Sequence, residues 1–247
     1  MPPIRSKISN PIVKKLEHFA RLDEADIRAL DALLAFAKDL RAGQILIHES
    51  SVQDHVHLIV RGMACRYKSL PSGERQILGY LLPGDLFEFP FVTLNKPDHS
   101  VVLLSDSQVV KIPAQKIIAL LAGKPRIERA LSLAGLNEIS ILREWLLNVG
   151  QRNAIQKVSH FFCELAHCLA RIDQVSEDGS FDLPINQMAL ADTTGLTPVH
   201  INRTLQRLRN DGLIRLCQRR LLILDLDRLA TIAGFDNNYL QVKQCMR

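Results

Sequence analysis

The hydrophobic texture of the chain changes abruptly twice, which limits the fold to a β-rich unit followed by a helical one. From about residue 42 to 112 the apolar residues come in short or alternating runs: "QILIH", "HVHLIV", "MACRY", "QILGYLL", "SVVLL" and "SQVVKI". Gly43, Gly62, Gly73, the "PGD" at 83–85 and the "NKPD" at 95–98 punctuate them. Strands of this length with turn signals this often predict a small antiparallel barrel or sandwich. "LPSGER" (70–75) predicts a hairpin turn, because Gly73 can take positive φ. Residues 12–38 read as helical, with Asp23 or a neighbour capping the second segment.

From Pro125 to Asn148 the period becomes helical, and Pro125 suits the first turn. Leu131, Gly135, Ile139, Leu142, Leu146 and Val149 recur at spacings of four and three. Ile127, Leu131, Ala134, Ile141 and Trp145 form a second stripe beside them. One stripe can pack on the barrel and the other on a second copy of the same helix. A single broad buried face on a monomer accounts for the pattern equally well. Gly150 in "NVGQRN" is expected to break this helix, with Asn153 capping the next. The chain therefore divides into 1–123 (helices and β-unit), 124–150 (central helix) and 151–247 (C-terminal domain).

"LPINQMALADTTGLTPVHINRTLQRLRNDGLI" predicts two short helices joined by a tight turn. Asn186 caps the first, and Gly195 ends it where positive φ is needed. Thr197 caps the second and Pro198 opens it, where a missing N–H costs nothing. This is the layout of a helix-turn-helix, with a recognition helix at about 197–210. At 100° per residue, Ile201, Leu205 and Leu208 face the core. Val199, Arg203 and Gln206, flanked by His200, Asn202 and Arg207, lie opposite, without a carboxylate. Arg can bond a guanine edge twice, and Asn or Gln can do so with adenine. The plainer alternative, a solvated basic face, does not account for the caps and turn that accompany it. Between 196 and 220 six arginines stand against one aspartate. "GLIRLCQRRLLILDL" then predicts a hairpin wing with Arg219 and Arg220 near its tip, within reach of phosphates.

The net charge of +5 is modest, so its arrangement matters more than its sum. Five scattered cysteines fit a reducing compartment rather than a disulfide framework. There is no apolar run of membrane-spanning length and no secretory h-region after the basic start, so a cytoplasmic location is expected. His160, Cys163 and His167 share one helix face, but their apolar company favours a core helix over a metal site, and no metal is expected. Cys217 is a candidate redox thiol, since Arg215 and Arg219 would lower its pKa; a buried strand cysteine is the simpler expectation. Nothing resembles a nucleophile–base pair, phosphate loop or zinc motif, so no catalytic residues are assigned.

The order of these parts resembles the Crp/Fnr family of bacterial transcription regulators, nearest to its rhizobial FixK-like or a related branch. The stretches that carry the likeness are "RAGQILIHESSVQDHVHLIVRGMACRYK", "ERQILGYLLPGDLF" and the helix-turn-helix. The resemblance implies an α+β chain: an N-terminal cyclic-nucleotide-binding-like β-roll, a long central dimerisation helix and a C-terminal winged helix-turn-helix. It also implies a homodimer joined through 126–149, on double-stranded palindromic DNA with half-sites about 34 Å apart, and RNA polymerase as a partner. Arg203 falls where the family's guanine-reading Arg sits, and Thr197 where a Ser or Thr touches phosphate. Val199 stands where many members have a base-reading Glu.

In cyclic-nucleotide-binding members a Gly-Glu pair holds the ribose and an Arg-Ser pair the cyclic phosphate. By resemblance these become Gly84-Asp85 and His99-Ser100, and the adenine-facing Thr-Ser becomes Leu142-Arg143. Losing the Arg removes the bidentate hold on phosphate, so cyclic AMP is not expected there. No cysteine precedes Cys65, which excludes the family's N-terminal iron–sulfur site. Haem remains an alternative, with Pro2 beside the start and His18, His48, His55 and His57 available, though none has a distinctive spacing. The expectation is a DNA-binding regulator with no cofactor. The alternative is a sensor whose β-roll binds a small effector, whether cyclic nucleotide, haem or another.

Overall fold

The computed structural model describes residues 10–87 and 96–240. Helices α1 (Pro11–Glu17) and α2 (Glu24–Asp31) come first. Asn10 caps α1, and a reciprocal box between Asp23 and Asp26 caps α2. A 3-10 turn, Ala32–Phe36, leads into β1 (Ala37–Leu40). The end of the segment expected to be helical is therefore an edge strand, because Ala37–Leu40 finds a partner far along the chain, at Ser107–Val110.

Two four-stranded antiparallel sheets follow, built from β2 (Ile45–Ile47), β3 (His55–Arg61), β4 (Ala64–Ser69), β5 (Arg75–Leu81), β6 (Leu86–Phe87), β7 (Ser100–Leu103) and β8 (Ser107–Pro113). Their orders are β1-β8-β3-β6 and β2-β7-β4-β5. Ile47, Ile59, Leu81, Phe87, Val101, Leu103 and Val109 fill the space between them. All the predicted strand runs are present, and Gly73 turns the β4–β5 hairpin at φ 99°. The opposite faces of β3 and β8, through Val56, Leu58, Val110 and Ile112, pack on α1, α2 and two later helices.

Those helices are α3 (Ala114–Ala122), for which the sequence carries no expectation, and the central helix α4 (Pro125–Gln151). Gly150 does not break α4. The chain leaves the helix at Arg152, whose backbone is extended, and Asn153 caps α5 (Ala154–Ala170) by a reciprocal bond with Gln156. On α4 the predicted stripe from Ile127 to Trp145 packs against its own chain, with Ile127 fully buried and Leu131, Ala134 and Trp145 partly so. Of the other stripe Leu131 and Val149 are half-buried, but Ile139, Leu142 and Leu146 are exposed, Leu146 to 77%, with Leu136 exposed beside them.

After α5 come β9 (Ser180–Asp182), α6 (Gln187–Thr194), α7 (Pro198–Asn210), β10 (Ile214–Cys217), β11 (Arg220–Ile223), α8 (Leu226–Ala233) and a 3-10 turn at Asn237–Leu240. The wing is a three-stranded sheet of order β10-β11-β9 rather than a lone hairpin. One core runs through the junction of both halves. Met63, Cys65, Ile77 and Leu82 of the roll join Phe161, Phe162 and Leu165 of α5 and Ile201, Leu205 and Leu208 of α7. Tyr80 of β5, Trp145 of α4 and Phe161 of α5 meet there with centroids 5.2–6.2 Å apart. No described helix is long and apolar enough to cross a membrane.

Candidate nucleic-acid interface

α6 and α7 are set by local bonds that the sequence specifies. The Asn186 side chain accepts from Ala189 N (2.8 Å), and Gly195 ends α6 in the left-handed region (φ 64°, ψ 33°). Thr197 Oγ1 accepts from His200 N (3.3 Å), with Pro198 at the first turn. Ile201, Leu205 and Leu208 are buried as predicted. This pins α7 by its apolar side and turns Val199, Arg203, Gln206 and Arg207 outward. Val199 is 59% exposed on this face.

Among the described residues the side chains of Arg203 and Gln206 make no hydrogen bond or ion pair, so their donors face outward uncommitted. Arg207 is offset to Asp211 (3.7 Å, both solvated), a pair worth little in water. Asn202 is half-buried and its Nδ2 donates to Gln187 Oε1 at 3.4 Å, which binds α7 to α6 rather than leaving that amide free. The His200 ring is near Thr197 Oγ1 (3.2 Å), so the cap hydroxyl is shared between backbone and imidazole.

The wing divides the two predicted tip residues. Gln218 (φ 48°) and Arg219 (φ 60°) form the two-residue turn, both left-handed, and the Arg219 side chain is exposed and unpaired among the described residues. Arg220 is not available in the same way. Its guanidinium donates to Ser176 Oγ (2.7 Å), Ser180 Oγ (2.6 Å) and Asp182 Oδ1 (3.2 Å), tying β11 to β9. In the free chain Arg220 braces the wing. Cys217 is exposed, against the simpler expectation of a buried strand thiol.

A concave space of about 460 Å³ lies between α7 and the start of α5, lined by Asn153, Ala154, Ile155, Arg203, Thr204 and Arg207. It brings a helix N-terminus beside two outward-facing guanidiniums, a combination suited to an anionic backbone. The sequence marks Asn153 only as a cap; its proximity to Arg203 is tertiary and has no local signal.

Several of the residues assigned to an effector pocket already have partners within the chain. Ser100 lies on β7 and the turn after Leu81 follows β5, on opposite sides of β4. Asp85 is already engaged: Lys15 donates to one carboxylate oxygen, and the other accepts from Leu82 N at 2.7 Å. Gly84 (φ 93°) has Pro11 O where a Cβ would be, so α1 is seated directly on it. Ser100 Oγ accepts from Glu49 N (2.9 Å) and His99 Nδ1 contacts Asp98 Oδ1 (2.9 Å). Leu142 and Arg143 face outward on the bare side of α4.

The histidines considered for haem are dispersed. His18 Nε2 bonds Arg171 O (2.8 Å), His48 is exposed, His55 Nδ1 pairs with Asp54, and His57 stacks on Phe87. Pro2 lies outside the described residues. His160 and Cys163 are buried core groups, and no cluster of three possible metal ligands occurs among the described residues. Burial first, and Arg152 second, push the His160 imidazole down to about 3. Its 3.2 Å contact with Glu144 is accordingly a neutral hydrogen bond.

Two family models match these two halves. A Crp-like helix-turn-helix domain covers residues 156–232, and a cyclic nucleotide-binding domain covers 37–124. A probable transcriptional activator of Rhizobium leguminosarum bv. viciae is 30% identical over 195 residues, 78% of this chain and 79% of the relative. This chain belongs to the Crp/Fnr family of transcription regulators. The transcriptional activator protein FnrL of Cereibacter sphaeroides is 27% identical over 222 residues, covering 89% of this chain and 88% of its own. Among solved structures, FixK2 from Bradyrhizobium japonicum aligns with a TM-score of 0.72 at 21% identity, over 81% of this chain and 98% of that one, a likeness of fold. The Crp/Fnr chain described here is therefore a DNA-binding transcription regulator, with α7 as the helix that the fold presents outward.

Proposed function

We propose that the chain acts as a homodimer that reads a palindromic operator, one α7 per half-site, and has no catalytic role. The observation that carries this is the outward face of α7. Arg203 and Gln206 are exposed, without partners among the described residues and without a neighbouring carboxylate, on a helix fixed at both its cap and its apolar side. The bare stripe of α4 supports the dimer. Leu136, Ile139, Leu142 and Leu146 recur at helical spacing in solvent, which a second copy of the helix would cover. Two-fold symmetry then places the half-sites about one DNA turn, ~34 Å, apart.

Arg203 is the guanine reader in this arrangement, with Arg219 and the cleft at Asn153 on phosphate. With Val199 where a carboxylate would accept from cytosine, the half-site carries an apolar contact at that position, such as a thymine methyl. The names of the relatives indicate activation, which requires RNA polymerase as a further partner, and a cytoplasmic location follows from that role. Cyclic AMP fits poorly as the effector, because His99 stands where the resemblance places a phosphate-binding Arg and Asp85 is engaged by Lys15.

Selecting bound sequences from a random DNA pool tests the reading. The expected product is an inverted repeat containing a guanine that Arg203→Ala no longer selects, at a loss of roughly 1–3 kcal/mol of discrimination. A selected site without two-fold symmetry, or full discrimination by Arg203→Ala, would overturn it.

A further inference from the structure

A cavity of about 1170 Å³ opens at the β1 edge of the roll. None of Gly84, Asp85, His99, Ser100, Leu142 and Arg143 lines it. Its floor is one face of β1, β8 and β3. Register places Lys38 opposite Val109, and Lys111 opposite His57, so the two lysines and His57 alternate onto the same face. The 3-10 turn and α3 form one wall, with Phe36, Lys116 and Leu120, and β2 the other, with Ile45.

Three observations distinguish it from an ordinary surface hollow. Its walls are mostly apolar, and Phe36 (56%) and Ile45 (38%) expose their side chains to it and to solvent. Lys38, Lys111 and Lys116 carry three positive charges around it, and none is in an ion pair among the described residues; Lys116 Nζ is over the Phe36 ring at 4.5 Å. His57, only 4% exposed, closes part of its floor with a ring that is stacked on Phe87 from behind.

We propose that this cavity binds an amphipathic carboxylate. Its hydrocarbon body lies along Phe36, Ile45 and Leu120, and its head is among Lys38, Lys111 and Lys116. Desolvation, with Lys111 and His55 adding to it, pushes His57 down to about 4, so the ring meets the ligand neutral. A phosphate head is disfavoured: its multiple acceptors are best met by Arg forks and backbone nests, and the lining contains no arginine. The volume slightly exceeds the usual range for small-molecule sites, about 300–1,000 Å³, as befits an open trough holding a flexible chain. α3 supplies one wall and runs into α4 after a short link, so occupancy bears on the start of the central helix.

The test uses the full chain and displacement of 1-anilinonaphthalene-8-sulfonate by dodecanoate, dodecyl phosphate and dodecyltrimethylammonium below their micellar concentrations. Dodecanoate is expected to displace the dye with a saturable stoichiometry of one per chain, and the cation to fail. Lys111→Glu with Lys116→Glu should weaken dodecanoate at least tenfold. Lys111→Gln with Lys116→Gln, at exposed positions that leave the fold intact, should weaken it severalfold. Non-saturating binding, equal binding of the cation or the phosphate, or dodecanoate affinity unchanged in the Gln variant would each overturn the proposal. The readout is occupancy, so the result is independent of the operator reading.

Discussion

Arg219 combines an exposed charge with a backbone conformation that side chains other than Gly, Asn and Asp avoid. A two-residue hairpin of type I′ needs positive φ at both central positions, and here Gln218 and Arg219 supply it without glycine. Such residues store of order 1–3 kcal/mol each, held by the surrounding sheet. Arg219→Gly is therefore expected to raise stability by about 1 kcal/mol in urea unfolding while lowering DNA affinity and the magnitude of its salt slope by about one charge. A variant that lost both stability and affinity would contradict the strained-turn account. At this scale the caps are legible in the sequence, because Asn153, Asn186 and Thr197 each bond an N–H within three residues. The bracing of Arg220 is not, since its partners are 38–44 residues away. The pairs Gly84-Asp85 and His99-Ser100 match by likeness of sequence, and the engagement of Asp85 by Lys15, 70 residues away, has no local signature.

The elements show where periodicity is enough and where a single residue type misleads. Every long alternating run is a strand, and α7 divides into core and outward faces as its angles require. Ala37–Leu40, β6 and β9 escape detection because strands of two to four residues leave too few alternations. Gly150 suggests a helix end, yet α4 continues to Gln151 and stops where Asn153 caps its successor. A methyl group at Gly150 would meet no neighbour within 4 Å, and the backbone there is helical. Gly150→Ala should therefore stabilise by about 0.5–1 kcal/mol, read as a raised thermal midpoint. The bare stripe calls for the opposite experiment. Leu146→Glu, at 77% exposure, should leave a monomer's fold intact and abolish the dimer in sedimentation, with operator binding falling alongside. A dimer that survived the charge would place the interface elsewhere.

At the scale of the whole molecule, the joint between roll, central helix and DNA-binding domain holds a buried carboxyl. Glu164 accepts from Trp145 Nε1 (2.7 Å) and Tyr239 OH (2.6 Å), and burial outweighs these bonds to push it up to about 7. A carboxyl raised in the folded state binds more protons there than in the unfolded chain between about 4.5 and 7. Its contribution to stability therefore falls as pH rises through that window and is level above it. His160, pushed down to about 3, acts the other way, adding stability as pH rises from about 3 towards 6.5. Unfolding free energies of wild type and Glu164→Gln, measured from pH 4 to 8, should thus draw apart by on the order of 1–3 kcal/mol, wild type losing ground as pH rises. Parallel curves would show that the carboxyl titrates normally. The same joint bears on how freely such a chain can be recombined. Arg75 Nε reaches Asp192 Oδ2 (2.8 Å), Tyr80 OH meets Thr193 Oγ1 (2.6 Å), and roll residues complete the apolar core behind α5 and α7. A DNA-reading half cut free at residue 151 would carry away an aromatic wound in Phe161 and Phe162. Grafting it onto another sensor succeeds only if that sensor brings its own Tyr80.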